Sequence, residues 1–179
     1  ENDVLKRFID AAEYFGISTI IRICADNPFL QATEVKRLYN EYAKLPVPVD
    51  YFSFAFPDKT PVIKSHLGLF AEVTTLVALK KVALYTEDNF FHEHVTNYIY
   101  ANSNKFNVSL IGLPDNLKSR KDLRMTIDTL EDFNLLKDIF GKLVTDKNYH
   151  ISSDDIISYI NINQNILTIM ADEIRKNSK

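Results

Sequence analysis

Two carboxylates in this chain follow apolar runs directly. The run Ser18-Thr19-Ile20-Ile21-Arg22-Ile23-Cys24-Ala25 ends in Asp26-Asn27-Pro28, and Leu123-Arg124-Met125-Thr126-Ile127 ends in Asp128-Thr129. An acid just beyond the end of a buried strand stands where open α/β sheets bind their ligands. Each acid also has an ordinary reading. Asp26, close ahead of Pro28, suits a turn in which the side chain bonds its own backbone; Asp128 suits the electropositive start of a following helix. Jointly the two supply hard oxygen donors of the kind Mg²⁺ takes while it keeps waters and substrate phosphates in its other positions. That joint reading requires the two runs to be neighbouring strands, which spacing alone leaves open.

Other residues with chemical potential point elsewhere. His92-Glu93-His94 carries two imidazoles, but residues two apart on a helix face nearly opposite sides. No further ligand set accompanies them, so a zinc centre is not expected. Cys24, inside the first apolar run, reads as a packed thiol. It is the only cysteine, which excludes an intrachain disulfide framework and suggests a reducing compartment. Asn107-Val108-Ser109 matches a glycosylation acceptor, without meaning in a cytoplasmic chain. A net charge of -3 gives no basic surface that would make nucleic acid the main partner. No apolar run approaches the roughly 20 residues that cross a bilayer, and the acidic Glu1-Asn2-Asp3 is unlike the basic start of a secretory signal. The expectation is a soluble cytoplasmic chain with neither nucleic acid nor membrane as partner.

The elements that must position the two acids follow from periodicity and punctuation. At 179 residues and 46% hydrophobic content the chain can bury a substantial core. Apolar residues recur at helical spacing from Val4 to Phe15, with Asp3 as N-cap and Gly16 as the closing glycine. Ser18 to Cys24, apolar at nearly every position, predicts a parallel strand covered on both faces. A helix over Thr33 to Lys44 is stopped by Leu45-Pro46-Val47-Pro48, and Asp50 to Phe54 predicts a short strand. A proline-rich loop occupies 56–61 and loosely patterned chain extends to Ser65. Leu67 to Val73 predicts a strand, Thr74 or Thr75 a cap for a helix to Leu84, Asn89 to Ala101 a further helix, and Phe106 to Ile111 a strand. Arg124 to Ile127 predicts the last strand, and Thr129 with Asp132 caps a helix to Leu143. Residues 152–179 read as two helical pieces broken near Asn161-Ile162-Asn163. The alternation predicts an α/β fold, a three-layer sandwich with a mostly parallel mixed sheet, over residues 1–145, followed by a helical tail over 146–179.

Four blocks, in order, carry a resemblance: Asn2-Asp3-Val4-Leu5-x-Arg7-Phe8, Arg22-Ile23-x-Ala25-Asp26-Asn27-Pro28, Glu93-His94-Val95-Thr96-x-Tyr98-Ile99, and Leu123-Arg124-x-Thr126-Ile127-Asp128-Thr129-x-Glu131-Asp132. Over about residues 1 to 143 the chain resembles the spore-coat polysaccharide type of cytidylyltransferase, a family similar to the CMP-acylneuraminate synthetases and the 3-deoxy-manno-octulosonate cytidylyltransferases. The resemblance implies a glycosyltransferase-A-like nucleotide-binding fold. It also implies a reaction in which a hydroxyl of an acidic sugar attacks the α-phosphate of CTP and releases pyrophosphate. Carried over, Asp26 and Asp128 would hold Mg²⁺ directly or through water. Arg22 would face nucleotide or sugar carboxylate, or else form a salt bridge at the sheet's edge, and Arg124 has the same two readings. Glu72 would be a sugar-side contact or an exposed strand-end acid, Asn27 belongs to the Asp26 block, and His94 would be structural or on the substrate side.

The resemblance also predicts a departure. Relatives begin with a strand and a basic, glycine-containing loop that cradles the CTP phosphates, and none of Gly16, Gly68, Gly112 and Gly141 lies in such a loop. The expectation is a fold truncated at its N-terminus, belonging to a longer protein or completed by another chain. The alternative from a different class is a non-catalytic binding or assembly module that homodimerises through its tail, where Ile156, Ile157, Ile160, Ile166, Ile169 and Met170 supply apolar surface for packing onto a partner or, in the ordinary reading, onto the body of the same chain; a sugar-nucleotide-using glycosyltransferase is a third reading.

Overall fold

Asp3 starts the first helix by accepting from Lys6 N at 2.8 Å, which satisfies one of the backbone donors that a helix start leaves open. This computed structural model describes residues 3–144 and 150–177. Helix α1 spans Val4–Tyr14, strand β1 Thr19–Arg22, helix α2 Ala32–Ala43 and strand β2 Tyr51–Ala55. Strand β3 (Glu72–Thr75) feeds helix α3 (Leu76–Tyr85), followed by α4 (Asn89–Glu93), α5 (Asn97–Ala101) and strand β4 (Val108–Gly112). Helices α6 (Leu130–Leu143), α7 (Ser153–Ile162) and α8 (Gln164–Lys176) complete the order. No helix among the described residues is long and apolar enough to cross a membrane.

The chain divides into two compact units that interleave in sequence. The first takes residues 1–22, 36–54 and 71–111, and the second 23–35, 55–70 and 112–179. The first unit holds the sheet, in the order β1-β3-β2-β4. Strand β3 runs antiparallel to both β1 and β2, with Arg22 opposite Glu72 and Ser53 also opposite Glu72. Strands β2 and β4 run in the same direction: Asn107 O accepts from Tyr51 N at one end, and Leu113 N donates to Ala55 O at the other. The sheet of this α/β fold is therefore mixed, with an antiparallel share larger than a single edge strand. Leu5, Tyr51, Ala78, Leu79, Val82, Val95, Ile99 and Phe106 form the core of this unit. The second unit buries Leu67, Leu69, Leu117, Met125, Leu136, Ile139, Ile156, Ile160 and Met170.

Several elements differ from the sequence expectation, each for a local reason. The strand expected over Ser18 to Cys24 is only four residues long, and its exposure alternates. It lies at an end of the sheet order, and Ile21 and Ile23 are 37% and 50% exposed rather than covered on both faces. Cys24 falls beyond the strand and is half-buried. Residues 67–71 are irregular, because Gly68 turns with φ at +60° before β3 begins. The helix expected over Asn89 to Ala101 breaks into α4 and α5 where Thr96 turns its hydroxyl onto Glu72. Arg124 to Ile127 is not a strand. Met125 N donates to His66 O and Ile127 N to Asp26 O, so alternate donors serve two different segments and no ladder forms. Capping behaves as the sequence indicates: Thr75 starts α3, Thr129 with Asp132 forms a capping box on α6, and Ser152 with Asp155 forms another on α7.

Candidate functional site

In the second unit three irregular segments meet around Asp26. Asn27 N donates to Cys24 O at 3.3 Å and closes the turn that follows β1. Ile127 N donates to Asp26 O at 2.9 Å, so the backbone that carries Asp128 is tied directly to the backbone that carries Asp26. The third segment, 65–70, is bonded to both: Met125 N reaches His66 O at 2.7 Å, Gln31 N reaches Leu69 O at 3.0 Å, and Asn27 Nδ2 reaches Phe70 O at 3.5 Å. Gly68 permits this approach. A Cβ there would lie 2.6 Å from Met125 O and 2.7 Å from Met125 C, well inside contact distance, on a backbone that side chains other than glycine's adopt at a cost. A small cavity of about 40 Å³ opens among Cys24, Asp26, Asn27, Ser65, Gly68 and Thr126, room for a water-sized occupant. Among the described residues the buried Asp26 Oδ1 has no hydrogen-bond partner.

Asp128 is held by oriented donors rather than left in open solvent. Its Oδ2 accepts from Thr126 Oγ1 at 2.8 Å and forms an ion pair with Arg124 Nη2 at 3.1 Å, and His66 Nδ1 stands 3.5 Å away. Arg124 is only 1% exposed, among the largest fully buried side chains. Its Nε and Nη2 grip the two oxygens of Asp132 at 2.6 and 2.7 Å, and its Nη1 lies 2.6 Å from His66 Nδ1. Of the two readings the sequence left for Arg124, the ion pair is the one observed, in the protein interior and not at a sheet's edge. Asp132 is 3% exposed and also accepts from the backbone N–H groups of Asp128 and Thr129 at 3.0 and 2.9 Å. Burial pushes its carboxyl up, but the Arg124 guanidinium and these two N–H groups outweigh burial and hold it below the ordinary carboxylate range. Asp132 and His66 were not legible as site residues. Asp132 shows in the sequence only as a helix cap, and nothing local distinguishes His66.

In the first unit a second polar cluster forms on Glu72. This residue opens β3, is 2% exposed and uses both oxygens: Oε1 accepts from Arg22 Nη1 at 2.6 Å and Thr96 Oγ1 at 2.8 Å, and Oε2 accepts from Tyr51 OH at 2.7 Å. Of the two readings for Glu72, the exposed strand-end acid is not what is observed: the residue is a buried hub. Burial, and then the Glu72 charge, push the Tyr51 phenol well above its usual range. Arg22 forms the ion pair foreseen for it as one of two readings. His94 is exposed at the C-cap of α4, with its ring edge-on to Phe90 at a 4.6 Å centroid distance. His92 uses both ring nitrogens within the protein, at 3.0 Å from Asp3 and 3.0 Å from Thr86 O.

The donor set suits a metal shared with a ligand better than one caged by protein. Among the described residues no group of three or more His, Cys, Asp or Glu side chains could hold a metal ion. Mg²⁺ requires no such group, since one or two carboxylates with waters and substrate phosphates complete its shell. The unpartnered Asp26 Oδ1 beside a cavity of matching size fits that mode.

The sequence profile of the cytidylyltransferase family matches residues 1–164, through α7 and into the start of α8. The chain is 36% identical over 135 residues to the uncharacterized protein MJ1063 of Methanocaldococcus jannaschii, a match that covers 75% of this chain and 51% of that protein. It is 27% identical over 169 residues to the spore coat polysaccharide biosynthesis protein SpsF of Bacillus subtilis, covering 94% of this chain and 65% of that one. The fold is similar to the solved structure of a cytidylyltransferase from Leptospira borgpetersenii, with a TM-score of 0.76 at 24% identity over 93% of this chain and 65% of that chain. The chain therefore spans about half to two-thirds of the length of the relatives it matches.

Proposed function

This chain belongs to the cytidylyltransferase family, and on that premise we propose that it takes part in transferring CMP from CTP to an acidic sugar of the nonulosonic-acid type, releasing pyrophosphate, in the synthesis of surface polysaccharide. The observation that carries the proposal is the Ile127 N to Asp26 O bond, which ties the two acidic segments together beside the unpartnered Asp26 Oδ1. In this reading Asp26 and Asp128 hold Mg²⁺, and they are the residues expected to bear on catalysis. Bound there, the ion would offset charge on the triphosphate as the sugar oxygen attacks the α-phosphorus.

The chain's own residues supply orientation. Thr126 and Arg124 fix one oxygen of Asp128, and Arg124 therefore serves the site through that carboxylate. Asn27, bonded to Phe70 O, stiffens the turn that presents Asp26. In the first unit Glu72 holds Arg22, which is 15% exposed, as an anion-binding group for nucleotide or sugar carboxylate. His94, exposed on its turn, is a substrate-side candidate.

The test is direct. The protein is incubated with CTP, Mg²⁺ and a panel of acidic sugars, and pyrophosphate release is followed. Asp26→Asn and Asp128→Asn are each expected to lower turnover at least about 100-fold, the scale of losing one preorganised electrostatic group, with melting temperatures close to that of the unsubstituted protein. Absence of release with every sugar counts against the reaction; a large loss of stability in both variants makes the two acids structural.

A further inference from the structure

We propose that the outward face of α3 is an isologous interface on which a second copy of this chain packs, with the two α3 helices antiparallel. Eight of the ten residues of α3 are apolar, and Lys80 and Lys81 are the other two. A helix apolar nearly all round is normally covered on every side. Here Ala78, Leu79 and Val82 are buried in the first unit, while Val77 and Leu84 stand 62% and 82% exposed. These two lie on one stripe, seven residues and so about two helical turns apart, with Lys80 and Lys81 between them. The chain before β1 extends the face. Glu13 Oε1 meets Lys80 Nζ at 2.5 Å, and Leu76 N donates to Ser18 O at 3.0 Å, so residues 13–18 run beside α3. Phe15 and Ile17, in that segment, are also exposed. Clustered apolar surface rimmed by polar groups marks an interaction site.

The charges on the face identify its occupant. Lys80 is paired with Glu13, and Lys81 Nζ stands 3.6 Å from Asp50 Oδ1, so these four charges cancel. Anionic lipid surfaces and nucleic acids are drawn to uncompensated Lys and Arg, which these pairs do not offer. A face of mixed sign suits a copy of itself, because two-fold packing brings each Lys80 within reach of the Glu13 of the other copy. The apolar residues are arranged for the same symmetry. With the helices antiparallel and crossing at Lys80 and Lys81, Val77 of each copy lies on Leu84 of the other, and the contact is made twice. The tail, where the sequence offered a dimer contact, instead buries Ile156, Ile160, Ile166 and Met170 within its own unit.

Sedimentation equilibrium over a range of protein concentrations reads the association, and the unsubstituted protein is expected to dimerise reversibly. Val77→Glu and Leu84→Lys each put a charge on the face while suiting the helix, since an acid is favourable in its first turn and a base in its last. Each is expected to raise the dimer dissociation constant at least about 10-fold, the scale of a lost interface anchor. The double variant Val77→Glu/Leu84→Lys is expected to recover most of that loss. Positions 77 and 84 lie about 10 Å apart along one helix, too far to pair within a copy, whereas the antiparallel arrangement sets each introduced carboxylate against the introduced ammonium of the other copy. Unchanged melting temperatures, measured where every variant is monomeric, identify the loss as one of association. Should a charged variant fail to fold, Leu84→Ala, which keeps a strong helix former, is expected to weaken the dimer in the same direction. A protein that stays monomeric overturns the proposal, and so does a dimer that none of the single variants weakens. A double variant no tighter than the singles overturns the antiparallel pairing. Binding of the monomer to phosphatidylserine vesicles, abolished by Val77→Glu, would give the face to a membrane and overturn the proposal as well.

Discussion

At the scale of single residues, charges in this protein are settled by the partners that reach them. Glu72, Arg124 and Asp132 are each at most 3% exposed, and each carries charge-assisted hydrogen bonds to several groups. Leaving one partner of such a buried pair alone would cost several kcal/mol, about 3 to 5, so these pairs fix geometry as well as charge. His92, in the first unit, offers a cleaner view of protonation. The Thr86 carbonyl, and then the Asp3 carboxylate, raise its pKa above the usual imidazole value, since the charged ring can donate from both nitrogens. A pKa raised on folding gives stability that is fully present below the unfolded value, about 6.5, and that is lost as pH rises through the folded value. Between pH 6 and 8 the melting temperature of the unsubstituted protein should therefore fall more steeply than that of His92→Gln. Parallel profiles for the two would remove His92 from the account.

At the scale of elements, the candidate site is built from turns and extended segments rather than from strand ends. The 24–31 turn, the 65–70 segment and residues 123–128 exchange single backbone hydrogen bonds, and Gly68 allows the closest of these approaches. Gly68→Ala should destabilise the protein by about 1 to 2 kcal/mol from the left-handed backbone alone, with more from the Cβ contact on Met125. Chemical denaturation reads this, and a cost below that range would mean the segment shifts freely. The helix boundaries were largely legible because caps are local: Asp3, Thr75, Thr129 and Ser152 each lie within three residues of the N–H they accept from. The segment at Arg124 to Ile127 misled because an extended apolar run reads as a strand whether or not a neighbour pairs with it. Its donors found two different acceptors, His66 O and Asp26 O, and the sequence contains no mark of that choice.

At the scale of the whole molecule, family membership and fold agree, while the chain spans 51% to 65% of the relatives compared. Nucleotide binding can be tested without assuming any sugar. A ligand that binds only the folded state at 100 times its Kd stabilises by about 2.7 kcal/mol, which for a chain of this size raises Tm by about 5 to 10 °C. CTP with Mg²⁺ should produce such a shift and CTP without Mg²⁺ a smaller one; equal shifts would separate nucleotide binding from the metal. By itself the sequence determined the helix caps, the glycine turn after α1, the α/β alternation and the two acids after apolar runs, all of them carried by residues near one another in the chain. Only the tertiary structure decided which charges are spent inside the protein. Arg22 meets Glu72 across 50 residues and Arg124 meets His66 across 58, and the strength and direction of an electrostatic contact depend on distance and burial, which the chain acquires only when it folds.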